Sequence, residues 1–393
     1  MRSEVWHLSW RAGLLALVLW LGIIYGAWSL AGPDSTSQGL SLSLLGGAWF
    51  GLLLQRSRFC FFCVTRGFIE QRKPEGLLGI IAALAVGTLG YHLVFGAFLP
   101  DPTLGRLPPD AHVGPLSWVL ALAATLFGIG MAISGSCISA HLYRLGEGAF
   151  ASLFALFGAL LGFVLGFLAW NPLYLLSIQQ APVVWLPAWQ GYGLSFLLQM
   201  TLLGGLAYWL LRYQQPVGEP RQLPRNLLHL LFGQRWPAWV GGVLIGFLAT
   251  LSYLRVAPLG VTAELGSLAR TAADGLGWLP GRLLGLDGFA GCATVIKQTL
   301  LSNNGLFIFG LVLSAWASAL LAGDFNPKRP QASELLRNLL GGILLGLGSM
   351  LALGCTVGTL LSGIMAGAAS GWVFGVFCLL GIMLGLRLRR YWP

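Results

Sequence analysis

The sequence predicts an all-α, polytopic membrane protein of about ten spans plus re-entrant helices, arranged as an inverted repeat. Three observations carry this. Charged residues make up only 9% of the chain and hydrophobic residues 56%, whereas a soluble domain carries about 25% charge. Apolar runs recur at close to the ~20 residues needed to cross a bilayer, and the mean hydropathy is +0.77. Finally, 56 glycines punctuate these runs, and small residues let membrane helices approach closely and break.

The first apolar run, 9–30, outlasts the ~7–15-residue core of a cleavable signal peptide and lacks its small-residue cleavage site. It is read as a retained extra span within 1–35. Further spans are predicted at 40–55, 75–99, 116–134, 147–170, 190–211, 238–254, 303–322, 334–353 and 371–386. Between them lie four Gly-rich pieces, 56–70, 135–146, 256–300 and 354–370, too apolar for aqueous loops and too broken for full crossings. They are predicted to be re-entrant, because irregular backbone at membrane depth survives only where protein or a watery cavity satisfies it.

The net charge of +10 does not mark a nucleic-acid binder. Basic residues fall mostly at span ends, as the positive-inside rule requires. Arg2 and Arg11, then Arg56, Arg58, Arg66, Arg72 and Lys73, then Arg212, Arg221, Arg225 and Arg235, then Lys328, Arg329 and Arg337, and finally Arg387, Arg389 and Arg390 fall on one side. The segment 100–115 has only Arg106 against Asp101 and Asp110, and 171–189 has no charge. The bias predicts that both termini are cytoplasmic.

Gly46-Gly47-Ala48-Trp49-Phe50-Gly51 resembles Gly241-Gly242-Val243-Leu244-Ile245-Gly246. Gly128 and Gly130 precede Cys137 by the spacing at which Gly346 and Gly348 precede Cys355. In the predicted topology the span before Cys137 runs inward and the span before Cys355 outward, so the halves 36–211 and 238–393 are inverted, joined by a basic cytoplasmic linker over 212–237. Inverted repeats with broken helices mark transporters whose site lies near the midplane.

Six cysteines are present, each in or beside an apolar segment, which does not fit a secreted disulfide framework. Cys378 sits in an uninterrupted run and reads as packing, since free cysteine behaves as a small hydrophobe. Cys60 and Cys63 lie in Arg56-Ser57-Arg58-Phe59-Cys60-Phe61-Phe62-Cys63, where arginines would favour thiolate and attract anions. Positive-inside anchoring is the plainer reading, and a soluble redox pair would need a βαβ context. Cys137 follows Ser134-Gly135-Ser136, with His141 one turn on. A half-helix starting here would aim amides into a cavity, as anion sites do. A zinc site is poorly supported, lacking a second ligand pair, and Arg144 and Glu147 are expected to pair at i,i+3. Cys355, within Leu353-Gly354-Cys355-Thr356-Val357-Gly358, offers a soft, uncharged donor suited to a sulfur anion. Cys292 precedes Lys297, a charge in an apolar stretch and therefore a functional candidate, unless it snorkels to the surface.

At Phe59-Cys60, Ser136-Cys137, Leu142 to Gly148 and Gly354 to Gly358 the chain resembles the YeeE/YedE sulfur-transport family, over nearly everything after the first span. The resemblance implies an hourglass-shaped inner-membrane protein that takes up thiosulfate. It also implies that Cys60, Cys137 and Cys355 relay the anion by S–H hydrogen bonds, often with a TusA-like sulfurtransferase in the cytoplasm. Cys292, Lys297, Cys63, His141 and Arg58 are additional candidates. The expected protein is a transporter without metal or cofactor and not an enzyme. A covalent persulfide or selenium relay and a sulfur-compound sensor are the competing functions.

Overall fold

The computed structural model describes residues 9–214, 229–286, 294–299 and 301–391. Among them ten helical segments are long and apolar enough to cross a membrane. Their crossing helices are α1 (Trp10–Leu30), α2 (Ser35–Ser57), α4 (Glu75–Phe98), α5 (Trp118–Ser134), α7 (Ala151–Leu176), α8 (Leu186–Leu211), α9 (Ala238–Arg255), α11 (Asn303–Ala322), α12 (Ala332–Leu351) and α14 (Ala369–Tyr391). Each falls on a predicted apolar run. The main boundary shift is α7, which starts after a left-handed Gly148 and continues past Pro172. Proline is tolerated in membrane helices where neighbours satisfy the freed backbone.

Four shorter helices occupy the four predicted breaks: α3 (Phe61–Gln71), α6 (Ile138–Gly146), α10 (Thr262–Gly275) and α13 (Thr356–Met365). With 11, 9 and 14 residues in α3, α6 and α10, they fall short of the ~20 needed to cross. The first seven residues of α13, Thr356–Ser362, are wound as a π-helix.

The long helices pack in parallel couples. On α2, Gly47 lies against Phe307 and Gly51 against Leu311 of α11. On α9, Gly242 lies against Gly79 and Gly246 against Ala83 of α4. Gly128 and Gly381 join α5 to α14, and Gly158 and Gly342 join α7 to α12. Exchanging α2 with α9, α4 with α11, α5 with α12 and α7 with α14 maps this set of couples onto itself. The glycines of the two matching sequence segments do the same work: a methyl group on Gly47 would overlap the Phe307 carbonyl, and one on Gly242 the Gly79 carbonyl. Only a residue without Cβ permits either approach.

The core therefore lies where α2, α4, α5, α9, α11 and α12 meet, around the four short helices. By contrast α1 packs on α2 and α11 alone among its larger contacts and exposes Trp10, Leu14, Val18, Leu21 and Trp28. Such an apolar exterior has no counterpart in water-soluble proteins and suits lipid. The ends of α2, α8 and α11 and the segment before α12 collect Arg56, Arg58, Arg212 and Lys328, and this end is called the basic face below.

Candidate functional site

Three cysteines share one local device. Cys60 is the N-cap of α3, Cys137 of α6 and Cys355 of α13. Two residues before each, the chain turns through the left-handed region, at Arg58 (φ 52), Gly135 (φ 84) and Leu353 (φ 55). The turn ends one long helix and redirects the chain into a short one. Glycine makes such a turn at no steric cost, whereas Arg58 and Leu353 carry about 1 kcal/mol of strain each. Strain of this kind persists where surrounding structure enforces it, and it clusters at functional sites. Neither Cys63 nor Cys378 occupies such a position.

The first two caps meet. The sulfurs of Cys60 and Cys137 are 3.8 Å apart, and Cys137 also lies 3.2 Å from the Ser139 hydroxyl. Cys355 approaches from the other end of the fold. The backbone amides of Val357 and Gly358 and the Thr262 side chain lie beside its sulfur. A small cavity is lined by Cys137 and Ser139 together with Thr356 and Val357, the two residues that follow Cys355. Leu54, Phe59, Phe61, Ile80 and Leu361 close its sides. All three thiols are buried, and each stands at the amide end of a helix, where the dipole and open N–H groups favour negative charge. The arrangement can present soft S–H donors and amide donors to an anion without placing a counter-ion among them.

Charge gathers instead at the basic face. Arg58 donates to Glu147 at 2.7 Å and stands 3.6 Å from Asp324. Gln55 donates to Asp324 at 2.9 Å and Glu147 at 3.3 Å, and Arg235 reaches Asp324 at 3.3 Å. Arg56, fully buried, lies 3.8 Å from Asp324 and donates to the Gln234 carbonyl. Burial pushes the Glu147 carboxyl up, and the Arg58 guanidinium pulls it back down. The network ties the end of α2 to the ends of α6 and α11.

Other expectations resolve differently. Glu147 pairs with Arg58 and not with Arg144, because α6 ends at Gly146 and Glu147 turns toward α2 and α11. Arg144 instead donates to the Cys63 sulfur at 3.4 Å. His141 shares a helix with Cys137, but its Nδ1 meets Ser152 on α7 at 3.2 Å, so no hydrogen bond ties the ring to a thiol. Lys297 does not snorkel: it is buried in an ion pair with Glu264 and lies 3.0 Å from Ser302. Cys378 is packed in α14 where α5 approaches at Gly128. Cys292 lies outside the described residues. Thr262, which the sequence did not single out, is beside Cys355. The repeat does not mark it: the spacing from Gly51 to Cys60, counted on from Gly246, falls on Arg255. Among the described residues no cluster of three metal-ligating side chains occurs.

A family model described as Sulphur transport matches residues 56–384. Thiosulfate transporter TsuA of Spirochaeta thermophila is 29% identical over 358 residues, covering 88% of this chain and 98% of that protein. The protein of that name from Escherichia coli is 25% identical, over 86% of this chain and 91% of its own length. Probable transporter YedE of Escherichia coli is 29% identical over 35% of this chain and 30% of its own.

Proposed function

The chain belongs to the sulphur transport family, and from that premise we propose that it moves thiosulfate, or a closely related sulfur-containing anion, inward across a bacterial inner membrane. The observation that carries the reading is the repeated device: three N-cap thiols, two in mutual contact and the third directly before Thr356, which lines the same small cavity as Cys137. The basic face is the cytoplasmic one, with both termini on that side. The two halves are 36–211 and 238–393. Thiosulfate enters near Cys355, crosses the cavity to Cys137, and passes to Cys60. The terminal sulfur accepts S–H hydrogen bonds and the helix amides hold the oxygens. No bond to sulfur forms, so passage leaves the thiols unchanged.

Inward movement of a dianion opposes a negative-inside potential by about 2.3 kcal/mol per charge per 100 mV. The chain carries no P-loop sequence and so no direct ATP drive of that kind. Proton coupling, or consumption of the arriving sulfur by a TusA-like cytoplasmic sulfurtransferase, supplies the drive.

The decisive experiment is radiolabelled thiosulfate uptake into proteoliposomes. Cys137→Ala and Cys355→Ala are each expected to cut flux at least ~30-fold, or about 2 kcal/mol of barrier. Undiminished flux in both sinks the thiol path. A second reading draws on the 3.8 Å approach of Cys60 and Cys137. A thiolate there attacks the terminal sulfur of thiosulfate, expels sulfite and keeps a persulfide. A persulfide on either cysteine after substrate exposure, read by mass spectrometry, replaces passive relay with this covalent one.

A further inference from the structure

The short helices α3 and α6 start where their cap thiols touch, at Cys60 and Cys137, and both end at the basic face. One turn beyond Cys60 stands Cys63, half-buried. Two turns beyond Cys137 stands Arg144, also half-buried. Their side chains meet: Arg144 Nη2 donates to Cys63 Sγ at 3.4 Å, and Nη1 reaches the Gly135 carbonyl, also at 3.4 Å. The carbonyl contact is long for a guanidinium, whose charge-assisted bonds to oxygen lie near 2.8 Å.

The neighbouring arginines are balanced. Arg58 has Glu147 and Asp324, and Arg56 has Asp324. Among the described residues Arg144 has no carboxylate partner. A guanidinium kept for architecture would be paired as Arg58 is, because an uncompensated charge away from water is costly. Its two terminal nitrogens meet a thiol and a carbonyl, neither of which balances its charge.

We propose that Cys63 and Arg144 form a fourth anion station, between the Cys60–Cys137 contact and the basic face. The station takes a dianion with one soft sulfur end and one sulfonate-like end. The guanidinium fork takes two sulfonate oxygens, as it does with phosphate and carboxylate, and the Cys60 and Cys63 thiols flank the sulfur. It rests on the transport reading above and adds to it a charged site that neutral thiols cannot provide. Sulfate, which has the oxygens without the soft end, binds it more weakly.

The test is modification of Cys63 by a maleimide on purified protein, scored on the Cys63 peptide by mass spectrometry, alongside thiosulfate flux. Thiosulfate is expected to slow modification about tenfold, and sulfate at equal ionic strength much less, a difference of about 1.4 kcal/mol or less. Arg144→Gln is expected to abolish protection and to raise the KM for flux about tenfold, with Arg144→Lys regaining part of both. Thiosulfate that leaves Cys63 unprotected in the wild type overturns the station, as does an Arg144→Gln protein with unchanged KM and protection. Should Arg144→Gln fail to fold, Arg144→Lys and the wild-type protection decide. Protection without any wild-type flux keeps the station and overturns the transport reading, so the two failures are distinguishable.

Discussion

The breaks nearest the basic face and those at the opposite end use the same backbone plan with different side chains. At the basic end, α3 and α6 begin with Cys60 and Cys137, whose sulfurs touch. At the other end, α10 and α13 begin at Val261 and Cys355. There the thiol has no thiol partner among the described residues, and the Thr262 hydroxyl stands in. The left-handed turn is also missing two residues before Val261, although it precedes the other three caps. Charge follows the same division: four side chains meet around Asp324 and Glu147 at one end, whereas Lys297, Glu264 and Ser302 form a closed set at the other. One polypeptide plan thus yields one end with a single cap thiol and another with two. The difference lies in residue identity at the caps, since the packing of the long helices is nearly interchangeable.

The hardest test of that interchangeability is Gly47→Val beside Gly242→Val. Each is expected to prevent recovery of folded protein, because neither carbonyl facing it can move without displacing a helix. Overpacking costs ~1–3 kcal/mol or more per site, and Gly204→Val, with open space around it, serves as control. Recovery of one valine variant but not the other, measured by size-exclusion chromatography in detergent, breaks the equivalence of α2 and α9.

A smaller effect is expected at the caps. Thr262→Val removes the hydroxyl beside Cys355 and is expected to slow thiosulfate flux about 5–10-fold, the worth of one hydrogen bond. Thr262→Cys makes the two ends alike and is expected to retain most of the flux. If Thr262→Val is silent, the hydroxyl is not the counterpart of Cys60.

The smallest effect concerns His112, in the segment that packs over α13 through its carbonyl near Gly363. Burial pushes its imidazole from the ordinary 6.5 down to about 4. The unfolded chain therefore takes up the proton first. Stability is full above pH 6.5 and falls as pH drops toward 4, by about 1–3 kcal/mol. His112→Asn is expected to flatten this part of the thermal-stability profile, and an unchanged profile removes His112 as its cause.

The spans and all four breaks were legible in the sequence, because apolar run length and clustered glycine are direct physical demands of the bilayer. Gly135 announced its turn for the same reason. Arg58 and Leu353 did not, since neither residue type signals a left-handed conformation that tertiary packing imposes. The expected Arg144–Glu147 pair failed because helical spacing gives only local partners, and a partner from α2 is stronger here. Thr262 was silent: one threonine among many carries no mark until α13 is placed against it.

Three thiols within one protein interior would ordinarily invite a soft cation such as copper(I) or zinc(II). Among the described residues, however, no three metal-ligating side chains are grouped. Each sulfur lies at the positive end of its helix, where open amides favour negative charge. Helix direction, not a side-chain charge, sets that preference: a cysteine capping the other end of the same helix would stand among carbonyls.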